Sequence, residues 1–251
     1  MLKGFYNLTS AMLTHQRDLN VVANNMVNIS TAGYKSDTYT SSTFDEVMFS
    51  RVGNKYKGGR EDIGEISYIR ASDQMYTDFT QGTIELTNIP LDFAIVGDGF
   101  FGIQMDDGQV AYTRQGNFSL DEQGYLCLQG AGRVLDRNGQ PIQLNTDKIR
   151  GDAQGNLYTE DGGYLGSLGV WNFEDLEALE HNEQGLFTGG QAQLMQTPQV
   201  QWGYLERSNV EMIDQMTEML TAQRALQSAA QVTKMYDQVM TQATQQLGRL
   251  S

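Results

Sequence analysis

The run Gly97-Asp98-Gly99-Phe100-Phe101-Gly102 has the glycine spacing of a dinucleotide-binding fingerprint, and Asp121 follows about twenty residues on. That chemistry requires a helix to begin at the glycines and offer its free N–H groups to a pyrophosphate. Here Phe100-Phe101-Gly102-Ile103-Gln104-Met105 reads on as a strand, so the glycines are expected to make a tight turn between two strands. The other reactive groups are few: one cysteine, Cys127, and two histidines, His15 and His181. Cys127, between Leu126 and Leu128, reads as a buried strand residue. His15 falls on an apolar helix stripe. His181 sits among Glu177, Glu180 and Glu183, a set that could hold a cation but reads as a solvated acidic face. No Ser or Cys has a histidine partner recognisable from spacing, and the Asp-x-x-Gly segments lack the alternating carboxylates of a calcium loop. The expectation is no catalytic residue, no metal and no cofactor.

The elements that carry these residues divide the chain by composition. Of 27 glycines, only Gly4, Gly33 and Gly248 lie outside the stretch from Gly53 to Gly203. Leu8, Met12, His15, Leu19, Val22, Met26 and Ile29 alternate spacings of four and three, which predicts an amphipathic helix ending before Gly33. A second long helix is predicted from Val210 to Leu247, with a stripe of Ala222, Ala225, Ala229, Val232, Tyr236, Val239 and Ala243 and a capping box formed by Ser208 and Glu211. Between them, short apolar runs such as Phe93-Ala94-Ile95-Val96 and Val110-Ala111-Tyr112-Thr113 alternate with turns at Asp107-Gly108, Asp121 to Gly124, Asp136 to Gly139, Asp152 to Gly155 and Asp161-Gly162-Gly163, a β-hairpin pattern. Only the acidic stretch Phe173 to His181 suggests a short helix there. The chain therefore reads as α+β: long N- and C-terminal helices pairing as a coiled coil, with a mostly antiparallel β middle domain. Heptads alone leave open whether each helix pairs within the chain or with another subunit. The expected division is 1–35 (N-terminal helix), 36–80 (extended or irregular arm), 81–202 (β domain) and 203–251 (C-terminal helix).

Charge narrows the partners. The 251 residues carry 17 Lys and Arg against 31 Asp and Glu, a net charge of −14, which disfavours nucleic acid. Nearly all the excess lies in the β middle; the end segments are almost neutral, and the second helix is rich in Gln, including Gln215, Gln223 and Gln227. Such faces can be buried against another subunit without stranding a full charge. No apolar run approaches the ~18 residues of a membrane span, so no membrane insertion is expected. His15, Gln16, Arg17 and Asp18 interrupt the N-terminus before a secretory apolar core could form, so no cleaved signal is expected either.

Three segments resemble one family, the flagellar basal-body rod and hook proteins. Ala23-Asn24-Asn25-Met26-Val27-Asn28-Ile29-Ser30-Thr31-Ala32-Gly33-Tyr34-Lys35 is similar to the family's N-terminal signature. Leu91-Asp92-Phe93-Ala94-Ile95-Val96-Gly97-Asp98-Gly99-Phe100-Phe101, followed by Ala111 to Phe118, resembles its β-domain core segment. Gly203-Tyr204-Leu205-Glu206-Arg207-Ser208-Asn209-Val210, with Met219 and Gln223-Arg224-Ala225, resembles its C-terminal helix signature; Leu226 and Gln227 stand where the family usually has an aromatic and an acid. The resemblance implies a rod subunit, distal type first and proximal second, exported through the flagellar type III apparatus and polymerising helically with itself and with other rod and hook subunits into the drive shaft of the basal body. It implies an assembly interface at Asn24, Asn25, Asn28, Thr31, Gly33, Tyr34 and Lys35 and at Ser208, Asn209, Val210, Met219, Gln223 and Arg224. Asp92, Gly97, Gly99, Phe100 and Phe101 are its β-domain core motif. A non-polymerising adaptor or cap protein of the axial structure is the alternative, and an enzyme built on the glycine turn a third reading.

Overall fold

The run from Phe5 to Ser30, free of Gly and Pro, folds as helix α1, Leu2–Val27, in the computed structural model of the chain, and a 3-10 turn at Asn28–Ser30 ends it. The structure describes residues 2–43, 47–51, 61–66, 70–182 and 185–247. The predicted stripe is covered: on α1 Val22 is buried and Leu8, Met12, His15, Leu19 and Met26 are half-buried, and Ile29 in the 3-10 turn is half-buried as well. Helix α2, Met212–Leu247, is 36 residues long, a rise of about 54 Å. Its covered line differs from the prediction. Gln215, Met219, Ala222, Ala225, Leu226, Ala229, Thr233, Tyr236 and Ala243 are buried or half-buried, so five residues of the predicted stripe are covered, whereas Val232 and Val239 are exposed. The register is one the polar residues permit. Asn25 Nδ2 donates to Gln215 Oε1 (3.1 Å), tying α1 to α2, and Thr233 returns its hydroxyl to the Ala229 carbonyl (2.9 Å) beside Met12 Sδ.

The chain forms two compact units. The first comprises residues 1–26, 37–76 and 212–251, and the second residues 27–36 and 77–211. Besides the helices, the first holds paired strands Asp37–Thr43 and Arg70–Thr77 and an antiparallel pair Val47–Arg51 with Glu61–Ile66. The predicted arm of 36–80 is thus largely strand where it is described; 44–46, 52–60 and 67–69 lie outside the described residues, as does Glu183.

The second unit is antiparallel β. Among the described residues its largest sheet has nine strands. Phe100–Gln104 is central to it: one edge pairs with Val110–Thr113, and Gly132–Val134 and Val170–Phe173 pair along it as well. This strand is buried on both faces. Phe101 and Ile103 enter the main core with Phe93, Ile95, Phe118, Leu126, Leu157 and Leu168, while Phe100 enters a smaller aromatic cluster with Phe173 and Phe187. Gly102 leaves the space that the Trp171 ring fills; a Cβ there would sit 2.4 Å from it. The Gly-rich segment is the turn between strands Phe93–Ile95 and Phe100–Gln104, with no helix at its glycines.

The hairpin turns share one geometry. In the Asp121, Asp136 and Asp152 turns the carboxylate Oδ1 accepts the N–H groups two and four residues on at 2.8–2.9 Å, and the aspartate carbonyl accepts that of the glycine. The predicted short helix at Phe173 to His181 is absent. Strand Val170–Phe173 ends in a turn where Asp175 Oδ1 accepts the Glu177 N–H (3.0 Å), and strand Leu179–His181 pairs with Phe187–Gly189. Packing of Leu176 and Leu179 against the aromatic cluster outweighs the helix propensity of the glutamates. The Ser208–Glu211 capping box is also absent: α2 starts at Met212, and Ser208 Oγ accepts the N–H of Val210 (3.2 Å). Asn209 is held by Ser36 and Asp78, which keeps this stretch out of the helix.

Candidate functional site

The second unit holds three charged residues that are buried. Lys35 is 1 % exposed, Arg114 4 % and Glu206 1 %. Lys35 Nζ donates to Glu206 Oε1 (2.5 Å) and to the Thr80 carbonyl (2.7 Å); Arg114 donates to Glu206 Oε2 (3.3 Å), and the Gly82 N–H to Oε1 (3.0 Å). The Arg114 guanidinium lies over the Phe100 ring, 5.2 Å from its centroid. One carboxylate thus serves two cations and a backbone amide, joining the segment after α1, the β core and the segment before α2. Burial pushes Lys35 below its ordinary value, opposed by Glu206; Arg114 moves the same way for the same reason, opposed by Glu206 and Asp98.

Backbone contacts bring these charges together. The Gly33 N–H donates to the Glu206 carbonyl (2.7 Å), and Gly33 has φ +65°. A Cβ at Gly33 would lie 2.3 Å from the Arg114 carbonyl carbon and oxygen, so only glycine allows the chain to turn this close to Arg114. Tyr34 is buried, its ring 6.1 Å from His181, which itself stacks on Phe187 at 4.9 Å. His181 is therefore half-buried against aromatics and not part of a solvated acidic face. Asn209 accepts the Ser36 N–H with Oδ1 (2.8 Å) and donates through Nδ2 to the Asp78 carbonyl (2.8 Å).

The other expected site residues fall in several places. Asn25 is buried in the helical unit, where it exchanges two hydrogen bonds with the Asp37 backbone (2.7 and 3.0 Å) and reaches Gln215. Thr31 donates to Asn28 Oδ1 (3.2 Å), Val210 is buried, and Asn24 is exposed on α1. On α2, Met219 is half-buried while Gln223 and Arg224 are exposed. Asp92 is buried and accepts from the Thr87 hydroxyl (2.7 Å); burial raises its pKa, opposed by that bond. Gly97 and Gly99 shape the turn with φ +84° and +124°, and Phe100 and Phe101 divide between the two cores. Cys127 is half-buried, its Sγ 3.4 Å from Ser119 Oγ, while Leu126 and Leu128 point into the core. Arg114 and Glu206 were not among the expected site residues. Their signal was a charge of each sign set inside the β-core and C-terminal signatures. Among the described residues, no group of three or more His, Cys, Asp or Glu could hold a metal, and no helix is long and apolar enough to cross a membrane.

The buried cluster joins three signature segments within the second unit, and comparison with known proteins places those segments in one family. Residues 5–35 match the family model described as flagella basal body rod protein, 94–184 that of the flagellar hook protein FlgE/F/G D1 domain, and 201–246 that of the flagellar basal body rod FlgEFG protein C-terminal. The chain is 32 % identical to the flagellar basal-body rod protein FlgG of Bacillus subtilis, over 96 % of this chain and 97 % of that one. It is 28 % identical to the flagellar hook-basal body complex protein FlhO of the same organism and 29 % identical to the flagellar basal-body rod protein FlgF of Mesorhizobium japonicum, both over the full length of each chain. The chain belongs to the flagellar basal-body rod and hook protein family.

Proposed function

We propose that the chain is a structural subunit of the bacterial flagellar basal-body rod, assembling helically with copies of itself and with other rod and hook subunits into the shaft that carries torque from motor to hook. The full-length likeness to a rod protein is the observation that carries this reading. Helices α1 and α2 pair as a coiled coil at the shaft's inner wall, and 1–35, 36–80, 81–202 and 203–251 serve as N-terminal helix, arm, β domain and C-terminal helix. Ile213, Met216 and Leu220 are exposed near the start of α2, and Val232, Met235 and Val239 further along it. Apolar side chains in such number on one helix fit burial against neighbouring subunits. The exposed signature residues Asn24, Gln223 and Arg224 take part in those contacts, while Lys35, Glu206 and Arg114 brace the β unit from within. The chain travels through the flagellar type III export apparatus and catalyses nothing.

Limited proteolysis with fragment masses tests the assembly step. Isolated helices are marginal in water, so in dilute monomer the ends are cut fast and a core of about 80 to 200 survives, whereas in assembled material the ends resist. Ends as resistant as the core in dilute monomer would overturn the ordering-on-assembly part of this reading.

A further inference from the structure

The three sister turns at Asp121, Asp136 and Asp152 differ in one chemical respect. The residue before the glycine is Gln123 in the first, Gln154 in the third and Asn138 in the second, and Asn138-Gly139 is the sole Asn-Gly pair in the chain. Asparagine before glycine is the pair whose side-chain amide the following backbone nitrogen can reach with least hindrance; a glutamine must close a larger, slower-forming ring. Asn138 and Gly139 are both exposed, and nothing lies within 4 Å of where a Gly139 Cβ would be. The turn nonetheless restrains both reacting groups. Gly139 donates its N–H to the Asp136 carbonyl (3.0 Å), and Asn138 Nδ2 donates to Asp136 Oδ2 (3.1 Å). Asp136 Oδ1 also accepts the Asn138 and Gln140 N–H groups, both at 2.8 Å. A carboxylate this close disfavours loss of the Gly139 N–H proton, and the hydrogen bond to Nδ2 holds the amide toward Asp136.

We propose that Asn138 is a deamidation site gated by its own hairpin turn: closed, the turn protects it, and opened, it reacts. The Gly139 nitrogen, its proton taken by a solvent base, attacks Cγ of Asn138; the C–N bond to Nδ2 breaks and ammonia leaves with a proton from water, giving a cyclic imide. Water then adds to one of the two imide carbonyls and opens the ring to aspartate or isoaspartate. In sum, one water is consumed and one ammonia released, with no oxidant or reductant. The product places a new carboxylate, or a lengthened backbone, beside Asp136 in a unit that is already strongly acidic, so the turn does not re-form as before.

The test ages the full chain at one pH and temperature, native and in denaturing guanidinium, and follows the Asn138 peptide by mass after digestion. The mass gain of amide-to-acid conversion separates it from isomerisation at Asp98-Gly99, Asp107-Gly108 or Asp161-Gly162, which changes no mass. Two restraining hydrogen bonds predict reaction at least about tenfold slower in the native chain. Asp136→Ala raises the native rate toward the denatured one, while Asp152→Ala, in a sister turn with glutamine, leaves it unchanged. Equal native and denatured rates in the unaltered chain overturn the proposal whether or not Asp136→Ala folds. So does a folded Asp136→Ala chain with no acceleration.

Discussion

Glu206→Gln removes the one carboxylate that serves Lys35 and Arg114 while leaving the side chain's size almost unchanged. In the folded chain Glu206 is fully buried with a lysine at 2.5 Å and an arginine at 3.3 Å, so the amide strands two cations in a region closed to water. Breaking a buried pair by removing one partner costs about 3–5 kcal/mol, against a total stability of about 5–15 kcal/mol. In a unit of this size, about 4 kcal/mol corresponds to a melting-point drop of about 8–16 °C. The pH dependence carries a second signature. Burial already holds Lys35 below 10.5, opposed by Glu206; without Glu206 its folded-state value falls further. The unfolded chain then binds more protons than the folded one between that value and 10.5, so stability rises with pH across the window. The Glu206→Gln deficit is largest near neutral pH and shrinks toward pH 10.5. Guanidinium unfolding of both chains followed by tryptophan fluorescence, at neutral and alkaline pH, measures it. A deficit below about 1 kcal/mol at neutral pH, the range of a surface pair, would mean that Glu206 is not a buried brace.

Replacing the whole cluster, with Lys35→Met, Arg114→Met and Glu206→Leu together, leaves no stranded charge; the triple variant is more stable than Glu206→Gln by at least about 2 kcal/mol in the same titration. Gly33→Ala forces an L-residue to φ +65° against the Arg114 backbone. It lowers stability by about 1–3 kcal/mol from strain alone, read as a shift in denaturation midpoint. Burial raises the pKa of Glu218, with Asp18 and Asp214 adding to it, and burial raises that of Asp18, opposed by His15. The folded helices therefore favour protonated carboxylates, so their stability grows as pH falls through the raised values toward the ordinary ones. Glu218→Gln raises the thermal midpoint slightly at neutral pH, by about 0.5 kcal/mol or less for so exposed a group, and the gain vanishes in acid, as circular dichroism melts will show.

The helices were legible because their information is local: the four-and-three spacing from Leu8 to Met26 falls on covered positions of α1. On α2 the same logic misplaced Val232 and Val239, which are exposed where Leu226 and Thr233 are covered, and periodicity does not record that Gln215 meets Asn25. Glutamates at 174, 177 and 180 favour a helix locally, but strand pairing with Phe187–Gly189 decides that segment from outside it. The charge cluster was hidden for the same reason in a stronger form. Lys35 and Glu206 lie 171 positions apart, and their contact depends on Gly33 turning where no side chain fits. Lys35 stood among the expected residues through a signature, while Arg114 and Glu206 required the fold.

Sedimentation and negative-stain microscopy of the purified full chain over a range of concentrations decide whether it assembles into a shaft through its terminal helices. The chain is predicted to form axial assemblies as concentration rises, and Ile213→Ser with Val239→Ser, which remove exposed apolar side chains of α2, to keep it monomeric without changing its melting point. A full chain that stays monomeric at every concentration, or assemblies that persist unchanged in the double variant, would rule out assembly through the exposed face of α2.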